Sequence, residues 1–337
     1  MRKRLSKFKS IISFVFLSFS LSSFSQGQTS TDHPEATLSN PALLHSVSKS
    51  APLKRPPLET HSISVDNLKV RYVESGTGQP VILIHGNAGS LEDFEYGAID
   101  LLSKDYRVIA IDRPGHGGSD RTEKEVASVE YQARFLHDTL AGLEIKKPIL
   151  VGHSWGASVA LAYVLAYPDE VSSMVLVAPA AYPDGRKYTL LRWAAKIPVF
   201  NQLAVLLGKS LMGRHILRQE LARAFYPQPV PDRYFKLVAE SWFHRKQLQA
   251  FFEDESTLND SLKSMSKKYP SIRRPVVIVT GDHDNIVSAK DNAFRLKKTI
   301  ARSQIIEVRE TGHEIPQTRP ESLLQAVNLA SGRKSRP

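Results

Sequence analysis

The sequence predicts an α/β architecture: a mainly parallel sheet with helices on both faces, interrupted by one inserted helical segment. Three observations carry this. Short apolar runs recur along the chain, several of them ending in a glycine-containing loop. Helical stretches separate them, and parallel strands need such crossovers. The pattern then stops between Pro179 and Arg274 and resumes afterwards, which marks an insertion. At 337 residues the chain has room for one large domain of this kind.

The first residues read as a segment outside the fold. Arg2, Lys3, Arg4, Lys7 and Lys9 form a basic start, followed by an apolar stretch from Ile11 to Phe24. Ser23 and Ser25 supply small residues for cleavage before Gln26. This is the pattern of a secretory signal peptide over residues 1–25, and it predicts export to a periplasm or the exterior. The apolar stretch is about fourteen residues and carries several serines, short of the roughly 20 apolar residues a membrane span needs. An uncleaved N-terminal anchor is the alternative. Residues 26–60, rich in Ser, Thr, Pro, Gln and His, read as a flexible linker. The core is expected in two parts, 61–181 and 273–332, around an insertion at 182–272.

Within the core, residues 61–65 and 68–73 alternate as strands around Asp66-Asn67, a hairpin turn. A strand at 81–84 runs into His85-Gly86-Asn87-Ala88-Gly89. Another, at 108–111, leads to Asp112-Arg113-Pro114-Gly115-His116-Gly117-Gly118-Ser119, read as a structural crossover loop. A helix is expected over 129–140 and a further strand over 174–177. In the insertion, helices are expected at 190–195, 201–207, 215–224 and 232–239, punctuated by Pro198, Pro227, Pro229 and Pro231. The last two strands, 274–280 and 303–308, end in Gly281-Asp282-His283-Asp284 and lead to Thr311-Gly312-His313-Glu314.

One junction carries the chemistry. The apolar run 148–151 enters Gly152-His153-Ser154-Trp155-Gly156, and a small-residue helix follows. A strand, a serine flanked by glycines and a helix together describe a nucleophile elbow, which exposes the serine hydroxyl on a strained turn. Such a serine needs a base, an acid to orient the base, and two backbone N–H groups for a developing oxyanion. His313 is the candidate base. Asp284 is the candidate acid, with Asp282 and Asp254 as alternatives. The N–H groups of Asn87 and Trp155 are the candidate oxyanion donors. His85, His116 and His153 read as structural.

These blocks, in this order, resemble those of the α/β-hydrolase fold family over about residues 61 to 330. The resemblance implies Ser154 as nucleophile, Asp284 as orienting acid, His313 as base, and Asn87 and Trp155 as the oxyanion hole. It favours Asp284 because the family places the acid fourth in the glycine-led turn. It implies that the insertion is a helical cap and that no cofactor or metal is required. A serine at the elbow argues against the epoxide and carbon–halogen branches, which use aspartate there, and for acyl chemistry. The expected reaction is hydrolysis of a carboxylic ester of a hydrophobic small molecule or lipid. The same triad cleaves carbon–carbon bonds in some relatives, and peptide bonds after N-terminal proline in others that share the Ser-Trp-Gly elbow. Glu253, Asp254 and Glu255 are the acids that could hold such a peptide's amine. A catalytically silent binding protein of the same fold is the non-enzymatic alternative.

Charge adds little to this. The net charge is +11, but the first 25 residues hold five basic and no acidic residues, so beyond them 40 basic residues face 34 acidic ones. No nucleic-acid motif accompanies that balance, and no nucleic-acid partner is expected. Cysteine is absent, which excludes disulfides and thiolate metal sites. Residues 185–225 carry eight basic residues against the single acid Glu220, interleaved with apolar ones. A basic, apolar cap of this kind suits contact with an anionic membrane surface. An ordinary helical cap with a solvated basic face has the same composition.

Overall fold

The computed structural model describes residues 58–95, 97–121, 127–184, 205 and 208–333. The expected signal peptide (1–25), all of the expected linker but its last residues, and the expected helices at 190–195 and 201–207 (Val205 apart) lie outside the described residues.

Strands β1 (Thr60–Val65) and β2 (Leu68–Ser75) pair as the expected hairpin. Its turn residues Asp66 and Asn67 have φ of 49° and 62°. Two positive φ values make the turn whose twist matches paired strands, and Asp and Asn tolerate it. β3 (Pro80–Ile84), β4 (Arg107–Ile111), β5 (Ile149–His153), β6 (Ser173–Val177), β7 (Val276–Gly281) and β8 (Ser303–Val308) run parallel to one another. The eight strands lie in the order β1-β2-β4-β3-β5-β6-β7-β8, with β2 antiparallel to β4.

Helix α1 (Ala98–Leu102) connects β3 to β4, α2 (Val129–Gly142) connects β4 to β5, and α3 (Trp155–Ala166) connects β5 to β6. Between β6 and β7 come α4 (Leu211–Phe225), α5 (Asp232–Trp242) and α6 (Arg245–Met265). Helix α7 (Ala293–Thr299) lies between β7 and β8, and α8 (Ile315–Thr318) and α9 (Pro320–Ser331) follow β8. Alternate strand residues feed two cores. Ile82, Ile109, Leu150, Leu176 and Ile278 pack with α2, α3 and α7, whereas Leu83, Val108, Val151, Val175 and Val277 pack with α1 and α9. Burial on both faces is why these strands read as continuous apolar runs.

The topology positions the site. From β3 the chain steps to one side as β4 and returns on the other side as β5. This reversal opens a crevice at the carboxyl ends of β3 and β5, the place where open α/β sheets take their ligands.

The insertion departs from expectation in detail. Helix α4 starts four residues before the expected 215 because Ser210 caps it, its side chain accepting the Gly213 N–H at 3.1 Å. Helix α6, 21 residues long, was not legible in the pattern. Its buried face alternates Leu248, Phe252 and Leu262 with Gln247, Asp254 and Ser261, so the apolar period is broken.

Candidate active site

Ser154 sits between the end of β5 and the start of α3 with φ 52° and ψ −115°, a backbone conformation that costs a non-glycine residue about 1–3 kcal/mol. The surroundings impose it. Its N–H donates to Val177 O at 2.8 Å and its carbonyl accepts from Ala180 N at 3.2 Å. The two flanking glycines have separate reasons. A Cβ on Gly152 would lie 2.4 Å from Gly156 O, and one on Gly156 would lie 2.3 Å from Ile84 O. Both obstacles are backbone, so only glycine lets α3 approach β3 and β5 this closely.

His313 follows β8 and is brought to Asp284, which follows β7, with His313 Nδ1 2.9 Å from Asp284 Oδ2. The Asp284 carboxylate is itself fixed: Oδ1 accepts the N–H groups of Ile286 and Val287, each at 2.9 Å. A carboxylate partner requires Nδ1 to carry the proton, which leaves Nε2 with a lone pair. Burial disfavours the charged ring, but the Asp284 charge and hydrogen bond outweigh it and hold the His313 pKa above the ordinary imidazole value. Gly281 permits the approach of this loop, since a Cβ there would lie 2.1 Å from Thr311 O.

The serine and histidine loops are tied directly. His153 Nε2 lies 3.0 Å from the His313 carbonyl, to which it donates, and the two rings are 5.0 Å apart. Burial, then the neighbouring His313 charge, push His153 down to about 3, so its ring is neutral. On the other side the His313 N–H donates to Ala224 O at the end of α4, at 2.8 Å. The other acids are engaged elsewhere. Asp282 Oδ1 contacts His283 Nδ1 and accepts from Thr311 N, and Asp254 is buried among Arg113, Arg121, His116 and Gln132.

The loop after β3 abuts the serine, because a Cβ on Gly86 would lie 3.3 Å from Ser154 Cβ. Asn87 follows. Its side chain is committed to α6, Nδ2 donating to Glu255 Oε1 at 2.8 Å and to Phe251 O at 3.2 Å. Trp155 is the first residue of α3, so its N–H has no intrahelical acceptor and lies at the end of the helix that favours negative charge. The insertion leans on the same loop, with Trp242 Nε1 donating to Ala88 O at 2.9 Å. Leu217, Phe225, Tyr234, Phe235, Trp242 and Phe252 form an apolar cluster in the insertion that packs against Ala88.

Sequence reasoning read the Asp112–Ser119 block as structural, and most of it is: Asp112 accepts from Arg71, Leu91 and Gly118. It missed that Arg113 lies with its guanidinium 4.2 Å over the Trp155 ring. No signal in the sequence pairs Arg113 with Asp254, 141 residues away. Among the described residues no three His, Asp or Glu side chains are grouped as metal ligands.

A family profile for the alpha/beta hydrolase fold matches residues 79–320, most of the chain, from just before β3 to the start of α9, with Asn87, Ser154, Trp155, Asp284 and His313 inside it. The chain belongs to the alpha/beta hydrolase family. As an alpha/beta hydrolase it is 27% identical over 251 residues to Lipase 1 of Psychrobacter immobilis, covering 73% of this chain and 75% of that one. It is 27% identical over 277 residues to the monoacylglycerol lipase ABHD6 of Bos taurus, covering 75% and 79%. Among solved structures, a meta-cleavage product hydrolase from Pseudomonas fluorescens IP01 superposes with a TM-score of 0.66 at 24% identity, covering 81% of this chain and 97% of that one. At that identity the likeness speaks for the fold.

Proposed function

We propose that this alpha/beta hydrolase is a serine hydrolase that cleaves carboxylic esters of a hydrophobic, lipid-like substrate. The observation that carries the reading is a strained, glycine-flanked Ser154 whose neighbour His153 is bonded to the loop of His313, itself held at 2.9 Å by Asp284. His313 Nε2 takes the Ser154 proton as Oγ attacks the ester carbonyl. The Asn87 and Trp155 N–H groups stabilise the oxyanion. His313 then protonates the leaving alcohol and activates water to release the acid, and Asp284 steadies the imidazolium throughout.

The lipase relatives support an ester, and the aromatic cluster of the insertion beside Ala88 supports a hydrophobic one. In this reading the insertion is a cap whose apolar wall exclude water from the acyl-enzyme. The partners of the three candidate acids speak against the peptidase alternative. Asp254 is saturated by Arg113, Arg121, His116 and Gln132, Glu253 lies 3.0 Å from Arg121, and Glu255 accepts from Asn87. Export through residues 1–25 is part of the proposal, and N-terminal sequencing of the mature chain tests it. So is contact of the basic cap with anionic lipid, for which the exposed Leu211 and Met212 beside Lys209 and Arg214 speak.

The deciding experiment is hydrolysis of p-nitrophenyl esters from acetate to palmitate, with Ser154→Ala alongside. We expect an optimum beyond the shortest acyl chains and a loss of about 10⁴- to 10⁶-fold in the variant. Undiminished turnover in Ser154→Ala would refute the mechanism. An optimum at acetate would refute the lipid-like substrate.

A further inference from the structure

We propose that Arg113 is the positioning residue of the oxyanion hole: it aims the Asn87 amide by gripping the Gly86 carbonyl, braces Trp155 by stacking on its ring, and is tied to the insertion through Asp254. The inference rests on the serine-hydrolase reading above and names how that site is held in working shape.

The argument starts from one peptide plane. The Gly86 carbonyl and the Asn87 N–H are opposite ends of a single rigid trans unit, so whatever holds the oxygen aims the hydrogen the other way. Three donors converge on that oxygen: Arg113 Nη2 at 3.0 Å, His85 Nδ1 at 2.8 Å and Gly89 N at 3.4 Å. Arg113 is responsible for two of them. Its backbone N–H donates to His85 Nε2 at 2.9 Å, which forces the His85 proton onto Nδ1 and so onto Gly86 O. Flipping the Gly86–Asn87 peptide to put its carbonyl toward Ser154 would break all three bonds.

The rest of the guanidinium serves the same end. Nε donates to His85 O at 3.1 Å, fixing the preceding peptide. Nη1 donates to Gln132 Oε1 at 2.8 Å and to Asp254 Oδ2 at 2.6 Å. Its planar face lies 4.2 Å from the centroid of the Trp155 ring, whose residue supplies the second oxyanion amide. A planar fork that donates at its edges while stacking on its face is a property of arginine that lysine lacks. Asp254, on α6, accepts four donors: Arg113, Arg121, His116 and Gln132. Docking of α6 is thereby linked to the geometry of the oxyanion hole.

The test compares Arg113→Lys with Arg121→Gln. Both remove a guanidinium from Asp254, but Arg121 touches neither the Gly86 nor the His85 carbonyl. Active sites are counted by fluorophosphonate labelling. For each variant kcat, KM, the melting temperature and the affinity for a trifluoromethyl ketone, a mimic of the tetrahedral oxyanion, are measured. Arg113→Lys should lose about 10²-fold in kcat, the scale of one oxyanion donor, and the same factor in ketone affinity at nearly constant KM. Arg121→Gln should lower the melting temperature yet keep both quantities within about threefold.

The proposal is overturned if Arg113→Lys keeps kcat and ketone affinity, or if the two variants lose kcat alike in step with their melting temperatures. Should Arg113→Lys not fold, Asp254→Asn replaces it: a parallel fall of about tenfold in kcat and ketone affinity supports the proposal, and unchanged ketone affinity overturns it. Failure of the serine reading itself looks different, since the parent enzyme would then not be titrated by the fluorophosphonate at Ser154.

Discussion

The elbow at Ser154 and the junction at Asp254 both bear on Trp155, one through the chain and the other through Arg113, and they are built in opposite ways. The elbow is local: a strand, five residues and a helix, with glycines wherever backbone meets backbone. The junction is assembled from distant pieces, Arg113 and Arg121 after β4, Gln132 on α2 and Asp254 on α6. The elbow holds strain and the junction holds buried charge. The difference teaches that a candidate nucleophile can be held on its turn by short-range geometry, whereas the groups that surround it must be gathered from across the chain.

The sharpest way to test the local side is Asp284→Asn. Losing the carboxylate should lower kcat by about 10³- to 10⁴-fold, since the imidazole is then free to adopt the wrong tautomer. The pH profile adds a sign. In the proposed mechanism His313 must be neutral to act as base, and its pKa is raised, so the acid limb of kcat/KM should lie above the ordinary imidazole value of about 6.5. In Asp284→Asn that limb should move down. The stability contribution of the pair runs the other way. It is fully present below the unfolded imidazole pKa and is lost as pH rises through the folded one.

On the junction side, Asp254→Ala should cost about 3–5 kcal/mol in denaturant unfolding, because Arg113 is left buried without its counter-charge. Burial alone would raise the Asp254 pKa, but Arg121 and Arg113 hold it well below the usual carboxylate range. Its stabilisation is therefore present above the unfolded carboxylate pKa and persists into acid. A loss no larger than that of an exposed ion pair would mean the junction is not where insertion and core are joined.

The smallest effect expected is a gain. Ser154→Gly should abolish ester hydrolysis yet raise stability by up to about 1–3 kcal/mol, the strain released where φ is 52°, less the entropy glycine loses on folding. A lower melting temperature in Ser154→Gly would show that the elbow is not strained and would erase the contrast between the two regions.

Much of this molecule was legible before folding was considered. The Asp66-Asn67 turn, the apolar strands and the glycine-flanked elbow rest on interactions among neighbours, and neighbours leave a pattern. Asp282 and Asp284 could not be told apart by pattern alone. The structure turns Asp282 to His283 and Thr311, and Asp284 to His313. Helix α6 was illegible because its buried side carries Gln247, Asp254 and Ser261, whose partners lie on other elements.

The sequence by itself determined the strands and the elbow, because backbone sterics and side-chain periodicity act over a few residues. Only the tertiary structure decided that His153 would anchor the His313 carbonyl, that Asn87 would turn its side chain to α6, and that Arg113 would lie between the Gly86 carbonyl, the Trp155 ring and Asp254. A buried charge requires its partners within about 3 Å, and which residues come that close depends on the packing of the whole chain.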